Sequence, residues 1–192
     1  NSKRERILSL EEEKNLIDAT IDYVRPIIFT ALHTGMRRSE ILNLRWSNVD
    51  LSNNLITVIQ TNSKSKKERK VYINSNLKKL LLELKLKARS SEFVFIDNKG
   101  LKLNNIRTAF NAACRRANVK GFRFHDLRHT SATRMIELGA NIVAVSKILG
   151  HSDLKTTMRY THPEDAVRDA LENLSNFGKT TTNIATSDSI GS

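Results

Sequence analysis

A single cysteine, Cys114, stands among the 192 residues. One thiol can form neither an internal disulfide nor a thiolate metal cluster within the chain. Its setting, NAACRRANV on a predicted helix, makes it a small core filler with no chemical role. Long apolar runs are also missing: none approaches the roughly 20 residues needed to cross a bilayer, and NSKRERILSLEEEK contains no signal-peptide core. The expectation is a protein with no membrane partner, working in the cytoplasm or nucleoid. Acidic residues are in short supply, 20 against 32 Lys and Arg, which leaves a formal net charge of +12 and a pI near 10.0. An excess of that size favours a polyanionic partner, with nucleic acid ahead of an anionic membrane surface. No internal repeat is visible.

What is present is the composition of a globular chain, 39% hydrophobic with mixed charge, long enough for one well-buried domain. The expected domain spans residues 1–177. A small, polar tail without a periodic apolar face, 178–192, follows it. Ser9 and Glu12 fit a capping box that starts a helix near Leu10. A second helix is predicted from about Asp22 to Gly35, with Pro26 in its first turn. Ile41, Leu42 and Leu44 give the next helix an apolar side, with Arg37 in its first turn. Branched and aromatic residues separated by turn signals then predict about three antiparallel strands: SNVDL, Leu55–Gln60 and Arg69–Ile73. Leucines at 77, 80, 81 and 84 stripe a scaffold helix. Phe93–Ile96 reads as a short strand, and Asn104–Val119 as a helix with Ile106, Phe110 and Ala113 inward. Helices over His125–Leu138, Asn141–Leu149 and Leu154–Tyr160 follow, with glycines 139 and 150 closing the first two, and Pro163 opens a last one. The fold class is therefore α+β, mainly helical, with a small sheet.

Four stretches carry chemistry. In TNSKSKKE and the strand after it, Lys64, Lys66, Lys67, Arg69 and Lys70 oppose a single Glu68, a positive finger able to lean over a nucleic-acid backbone. His125 and Arg128 are one helical turn apart, so one phosphate could meet both. His129 makes HDLRH superficially similar to a zinc-binding HExxH helix, but no third ligand stands at a telling spacing and the adjoining arginine would repel a cation; no metal and no cofactor is expected. His151 and Tyr160 bracket a glycine turn and a short helix in LGHSDLKTTMRYTH.

Together, TGMRRSEILNLRW, SKSKKERKVYI, HDLRHTSATRMIELG and LGHSDLKTTMRYTH resemble the tyrosine recombinases, the family of phage integrases and chromosome dimer resolution enzymes, in the family's own order. The resemblance covers roughly Ser9 to Asn176. It implies the fold of that family's catalytic domain, with Arg37 and Arg128 as the two catalytic arginines, His125 and His151 as the histidines, Tyr160 as nucleophile and Lys64 as the strand-turn lysine, Lys66 being the alternative. Tyr72 stands where relatives often have proline.

The chemistry so implied is coherent. Two guanidiniums can clamp the extra negative charge of a pentavalent phosphorane. A tyrosine with a pKa of about 10 needs proton removal to attack at neutral pH, for which His125 is a candidate base. Lys64 could protonate the departing 5′ oxygen, and His151 could donate to the phosphate. The implied reaction is site-specific recombination of double-stranded DNA, integration or excision of a mobile element, through a 3′-phosphotyrosine and without ATP or metal. Lys66, Lys67, Arg69, Lys70 and Arg107 are expected DNA contacts. The resemblance further implies a homo-tetramer on two DNA sites and an N-terminal core-binding domain that this chain does not include. Val167, Leu171 and Leu174 form an apolar face for packing on the same domain or on a neighbouring protomer. Two other readings of the motifs are a DNA-binding accessory protein with the same fold and a type IB topoisomerase; the intact set of catalytic positions opposes the first, and LGHSDLKTTMRYTH the second.

Overall fold

A computed structural model describes residues 6–59, 68–88, 91–151, 153–161 and 171. The chain divides into two compact units, Asn1–Tyr160 and Thr161–Ser192. In the second, the described residues are Thr161 and Leu171, the latter helical and exposed. Val167, Leu174, the helix expected after Pro163 and the domain boundary expected at 177 lie outside the described residues.

The first unit is mainly helical, with a three-stranded antiparallel sheet. Helix α1 (Leu10–Asp18) starts where the capping box places it: Ser9 Oγ accepts from the Glu12 amide, and Glu12 accepts from the Ser9 amide, both at 3.1 Å. Helix α2 (Arg25–Thr34) begins three residues later than the pattern suggests, because Pro26 sits at its first turn and lacks the amide that an earlier start would need. It is the central helix, burying Ile27, Ile28, Thr30, Ala31, Leu32 and Thr34. Two of these are polar, and each threonine hydroxyl is satisfied by the carbonyl one turn back, Pro26 at 2.8 Å and Thr30 at 2.6 Å.

Helix α3 (Arg38–Leu42) follows, and Arg37 is its extended N-cap rather than a member of its first turn. Strands β1 (Val49–Asp50), β2 (Leu55–Ile59) and β3 (Glu68–Tyr72) pair in sequence order, with Ile56 opposite Val71 and Val58 opposite Arg69. Ile56, Val58 and Val71 bury the inner face. Helix α4 (Ser75–Lys87) packs its leucine stripe on the core. Phe93–Ile96 is not a strand of this sheet; its contacts are isolated bridges, Arg45 with Phe93 and Ile96 with Lys102. Helix α5 (Arg107–Arg116) starts three residues after the predicted Asn104 and buries Phe110, Ala113 and Cys114; burial pushes the Cys114 thiol up to about 11.

Helix α6 (Phe124–Glu137) lies against α2 and against α7 (Ile142–Leu149). Its buried residues include Asp126, Arg128, Thr130 and Ser131. A helix face that hides so many polar groups must satisfy them internally, and Thr130 does so twice, accepting from the Leu8 amide at 3.1 Å and donating to the Asp126 carbonyl at 2.9 Å. The short α8 (Lys155–Met158) brings Tyr160 just past its end. Tyr160, Ala132, Val145 and Leu149 form a small core of their own between these helices.

Candidate active site

The site grows from the end of α7. Gly150 takes a left-handed conformation, φ +67°, and the His151 amide reaches back to the Ser146 carbonyl at 3.1 Å. That closure leaves the carbonyls of residues 148 to 150 without helical partners. Three arginines from three different elements fill them. Arg69 Nε donates to Ile148 at 2.7 Å, Arg128 Nη2 to Leu149 at 2.6 Å, and Arg37 Nη2 to Gly150 at a longer 3.4 Å. The negative end of the helix dipole favours all three cations.

Arg128 is 3% exposed and also donates from Nη1 to the Gly35 carbonyl at 2.7 Å, joining the ends of α2 and α7. These ends can meet only because Gly35 has no side chain. A Cβ there would stand 2.5 Å from Leu149 Cδ2, and its φ of +64° is itself a glycine conformation. Burial, then Arg37 and Arg69, lower the Arg128 pKa to about 10, which still leaves a cation at neutral pH.

Arg37 is held by Glu40, which accepts from its amide at 2.7 Å and from its Nη1 at 2.9 Å. Arg69 grips the same carboxylate with both terminal nitrogens, at 2.8 and 2.7 Å. Burial pushes the Glu40 pKa up, but the bonds from Arg69 and Arg37 outweigh it and hold the carboxyl below its usual range. This corrects the expectation for Arg69 as a DNA contact. Its side chain is 8% exposed and its donors are committed to Glu40 and Ile148; strand alternation turns it inward with Val71. Lys70, next along the strand, is exposed.

A cleft of about 610 Å³ opens beside this network, lined among others by Arg37, Arg38, Arg107, Asn111, Arg123, His125 and Arg128. His125 and Arg128 thus share one wall. His125 is exposed there, and its ring stands edge-on to His129, with 4.8 Å between centroids. Burial of part of the ring, followed by His129 and Arg128, lowers its pKa. Arg107, exposed at the start of α5, lines the same cleft. Lys64, Lys66 and Lys67 lie outside the described residues.

His151 Nδ1 lies 2.7 Å from the Thr157 hydroxyl, a bond that spans the turn between α7 and α8. Burial, then Arg128 and Arg37, hold His151 down at about 4. The imidazole is therefore neutral at pH 7. Tyr160 is 6% exposed, and its hydroxyl lies 2.7 Å from His129 Nδ1. It is close enough to Arg128 for the two to interact electrostatically.

Sequence reasoning missed Glu40, Arg38, Arg123 and Asn111, and weighed His129 only as a metal ligand. Glu40 had a signal, an acid three residues after Arg37 at a helix start. Arg123 had the same one, Asp126 three residues on at the start of α6.

The phage integrase family model matches residues 6–166. The chain belongs to the phage integrase family. It is 31% identical over 197 residues to the integrase of Salmonella phage P22, covering 96% of this chain and 51% of that protein. It is 36% identical over 136 residues to the tyrosine recombinase XerA of Saccharolobus solfataricus, covering 71% of this chain and 44% of that one. The chain thus spans about half the length of these relatives. Among solved structures, a crystal structure of XerA recombinase superposes with a TM-score of 0.74 at 28% identity over 90% of this chain and 66% of that one. The catalytic domain of bacteriophage HP1 integrase matches over 95% of this chain and 100% of its own, with TM-score 0.64 and 29% identity. The mainly helical fold with a three-stranded sheet is accordingly that of tyrosine recombinase catalytic domains. Among the described residues, no helix of this family member is long and apolar enough to cross a membrane.

Proposed function

We propose that this family member is the catalytic domain of a site-specific DNA recombinase, an integrase that cuts and rejoins double-stranded DNA of a mobile element through a 3′-phosphotyrosine. The observation that supports it best is the meeting of Arg37, His125 and Arg128 on one cleft, with the hydroxyl of Tyr160 held one helical turn away from His125 on His129. Arg37 and Arg128 are the clamp for the nonbridging oxygens of the scissile phosphate, where charge grows in the transition state. His125 and His151 donate to the same phosphate, His151 from Nε2, its Nδ1 being engaged by the Thr157 hydroxyl. Tyr160 attacks phosphorus, and Lys64 protonates the 5′ oxygen that leaves. The reaction conserves the phosphodiester as a protein ester, so it uses neither ATP nor metal.

Arg107, Lys66, Lys67 and Lys70 contact the DNA backbone. The working assembly is a homo-tetramer on two DNA sites, acting in the cytoplasm on nucleoid or host DNA, with a core-binding domain supplied by sequence beyond this chain. The similarity to the P22 integrase and to XerA supports the DNA substrate. Incubating the protein with a cognate site that carries a nick or a bridging 5′ phosphorothiolate tests the reading. A covalent adduct is expected, lost in Tyr160→Phe. Binding of that site without any adduct in the wild type rules the reading out.

A further inference from the structure

In this structure the Tyr160 hydroxyl lies against the ring of His129, while His125 lines the cleft. We propose that His129 is a catalytic residue, the base that takes the Tyr160 proton as the hydroxyl attacks phosphorus. The inference deepens the recombinase reading and rests on it.

The geometry is direct. His129 Nδ1 and Tyr160 Oη are 2.7 Å apart, a distance at which a proton can pass along the bond. His125 instead lines the cleft and meets His129 ring edge to ring face. The two histidines are one turn apart on α6 and share a helix face; the His125 ring lines the cleft and the His129 ring lies on the tyrosine hydroxyl. Tyr160 is otherwise packed among Ala132, Val145 and Leu149, which leaves the oxygen to be oriented by its polar partners.

In the step proposed, neutral His129 carries its hydrogen on Nε2. The Tyr160 O–H bond breaks as a bond from that hydrogen to Nδ1 forms, giving an imidazolium. The phenolate oxygen forms the bond to phosphorus, the bond from phosphorus to the 5′ oxygen breaks, and that oxygen takes the proton from Lys64. On rejoining, a 5′ hydroxyl returns its proton to Lys64 as it attacks the phosphotyrosine, and the departing phenolate recovers its proton from His129. Charge is conserved, and no reagent beyond the DNA is consumed.

The surroundings keep His129 neutral and so able to accept. Burial is the largest influence lowering its pKa; Asp126 opposes it, and Arg159 and Arg128 add to it. His125 and His151 face it as well, and each is itself lowered. A neutral imidazole is the form a general base requires.

The test is single-turnover cleavage by the full chain on a cognate nicked DNA site, across pH, with DNA affinity and thermal stability measured alongside. His129→Asn keeps an acceptor near the Nδ1 position but cannot carry the proton. Its cleavage should fall by about a hundredfold or more, as loss of a general base does, with binding unchanged. The wild-type rate should level off once the histidine is deprotonated, whereas the rate of the variant should keep climbing towards the ordinary tyrosine pKa of about 10. His129→Ala should regain part of its rate with added imidazole. Cleavage by His129→Asn at or above the wild-type rate overturns the inference, the latter showing that the bond restrains the tyrosine. Loss without imidazole rescue and with an unaltered pH profile also overturns it. An absence of adduct in the wild type sinks the recombinase reading and this inference with it, whereas an adduct at full rate in His129→Asn removes the inference alone.

Discussion

The guanidinium of Arg69 donates to both carboxylate oxygens of Glu40, at 2.8 and 2.7 Å, and Glu40 holds Arg37. A buried bidentate pair stands between strand β3 and a cleft-lining arginine. Breaking such a pair by removing one partner typically costs about 3–5 kcal/mol, since the other charge is left in place. Arg37 still reaches Glu40, so Arg69→Met should sit at the lower end, about 3 kcal/mol in urea unfolding. Arg69→Met combined with Glu40→Gln should cost less than the first change alone. A double variant as unstable as the sum of the two would contradict the pairing.

Gly35 is expected to reject a methyl group. Its positive φ costs a side-chain residue about 1–2 kcal/mol, and overpacking against Leu149 adds about 1–3 kcal/mol. Gly35→Ala should therefore lose about 2–5 kcal/mol. In a double-mutant cycle with Leu149→Ala, the two losses should be clearly less than additive, because the clash is with the Leu149 side chain. Strict additivity would mean that the close approach is not what Gly35 provides.

Arg128→Lys keeps the charge but loses the fork that reaches two carbonyls at once. Cleavage should drop by about 10²–10³-fold, the loss seen when one preorganised donor is removed, while DNA affinity changes little. Single-turnover rates and a binding isotherm at one salt concentration separate the two quantities. A variant that cleaves normally would show that charge alone suffices.

Acid should destabilise the fold through its histidines. His151 is held at about 4 by burial and then Arg128 and Arg37, and His125 and His129 are lowered too, burial being the first cause in each. Unfolding returns each to about 6.5, so below that value the unfolded chain binds more protons than the folded one. The contribution is present in full above about 6.5 and is lost as the pH falls towards the folded values. Melting temperature should decline between about pH 7 and about pH 5, and His151→Gln should flatten part of the decline. A midpoint that holds or rises on acidification in His151-intact protein would be incompatible with these shifts.

Arg107 and Arg123 line the cleft from exposed positions. If each meets a DNA phosphate, replacing either with alanine should weaken binding about equally across sequences and reduce the slope of log affinity against log salt by about 1. Salt titrations of the single variants measure this. A loss that depends on base sequence would point to base contacts instead.

Much of this was legible in the chain. The capping box at Ser9, the leucine stripe of α4 and the inward Phe110 follow from local periodicity, and the structure has them as the pattern implies. The histidine and arginine of α6 share a wall because three residues make nearly one turn. The fate of Arg69 was misread from charge and yet was available from period: Arg69, Val71 and Ile73 share a strand face, and two of the three are plainly core residues. Onsets of α2 and α5 came three residues later than expected for local reasons, Pro26 in the first turn of α2 and the Asn105 side chain taking the Arg107 amide at the start of α5. What no local pattern could supply is the set of long-range bonds. That the end of α7 would meet residues 37, 69 and 128 depends on how distant elements stack, and the link from His129 to Tyr160 spans two helices with a turn between them.

The end of α7 has one more consequence. A carboxylate that steadies an arginine also cancels its charge, whereas a peptide carbonyl steadies it and leaves the charge intact. By resting three guanidiniums on main-chain oxygens and giving two of them, Arg37 and Arg69, a single shared acid, Glu40, the domain arranges three cations in advance against one carboxylate. An arriving phosphate then meets a net positive field already fixed in place.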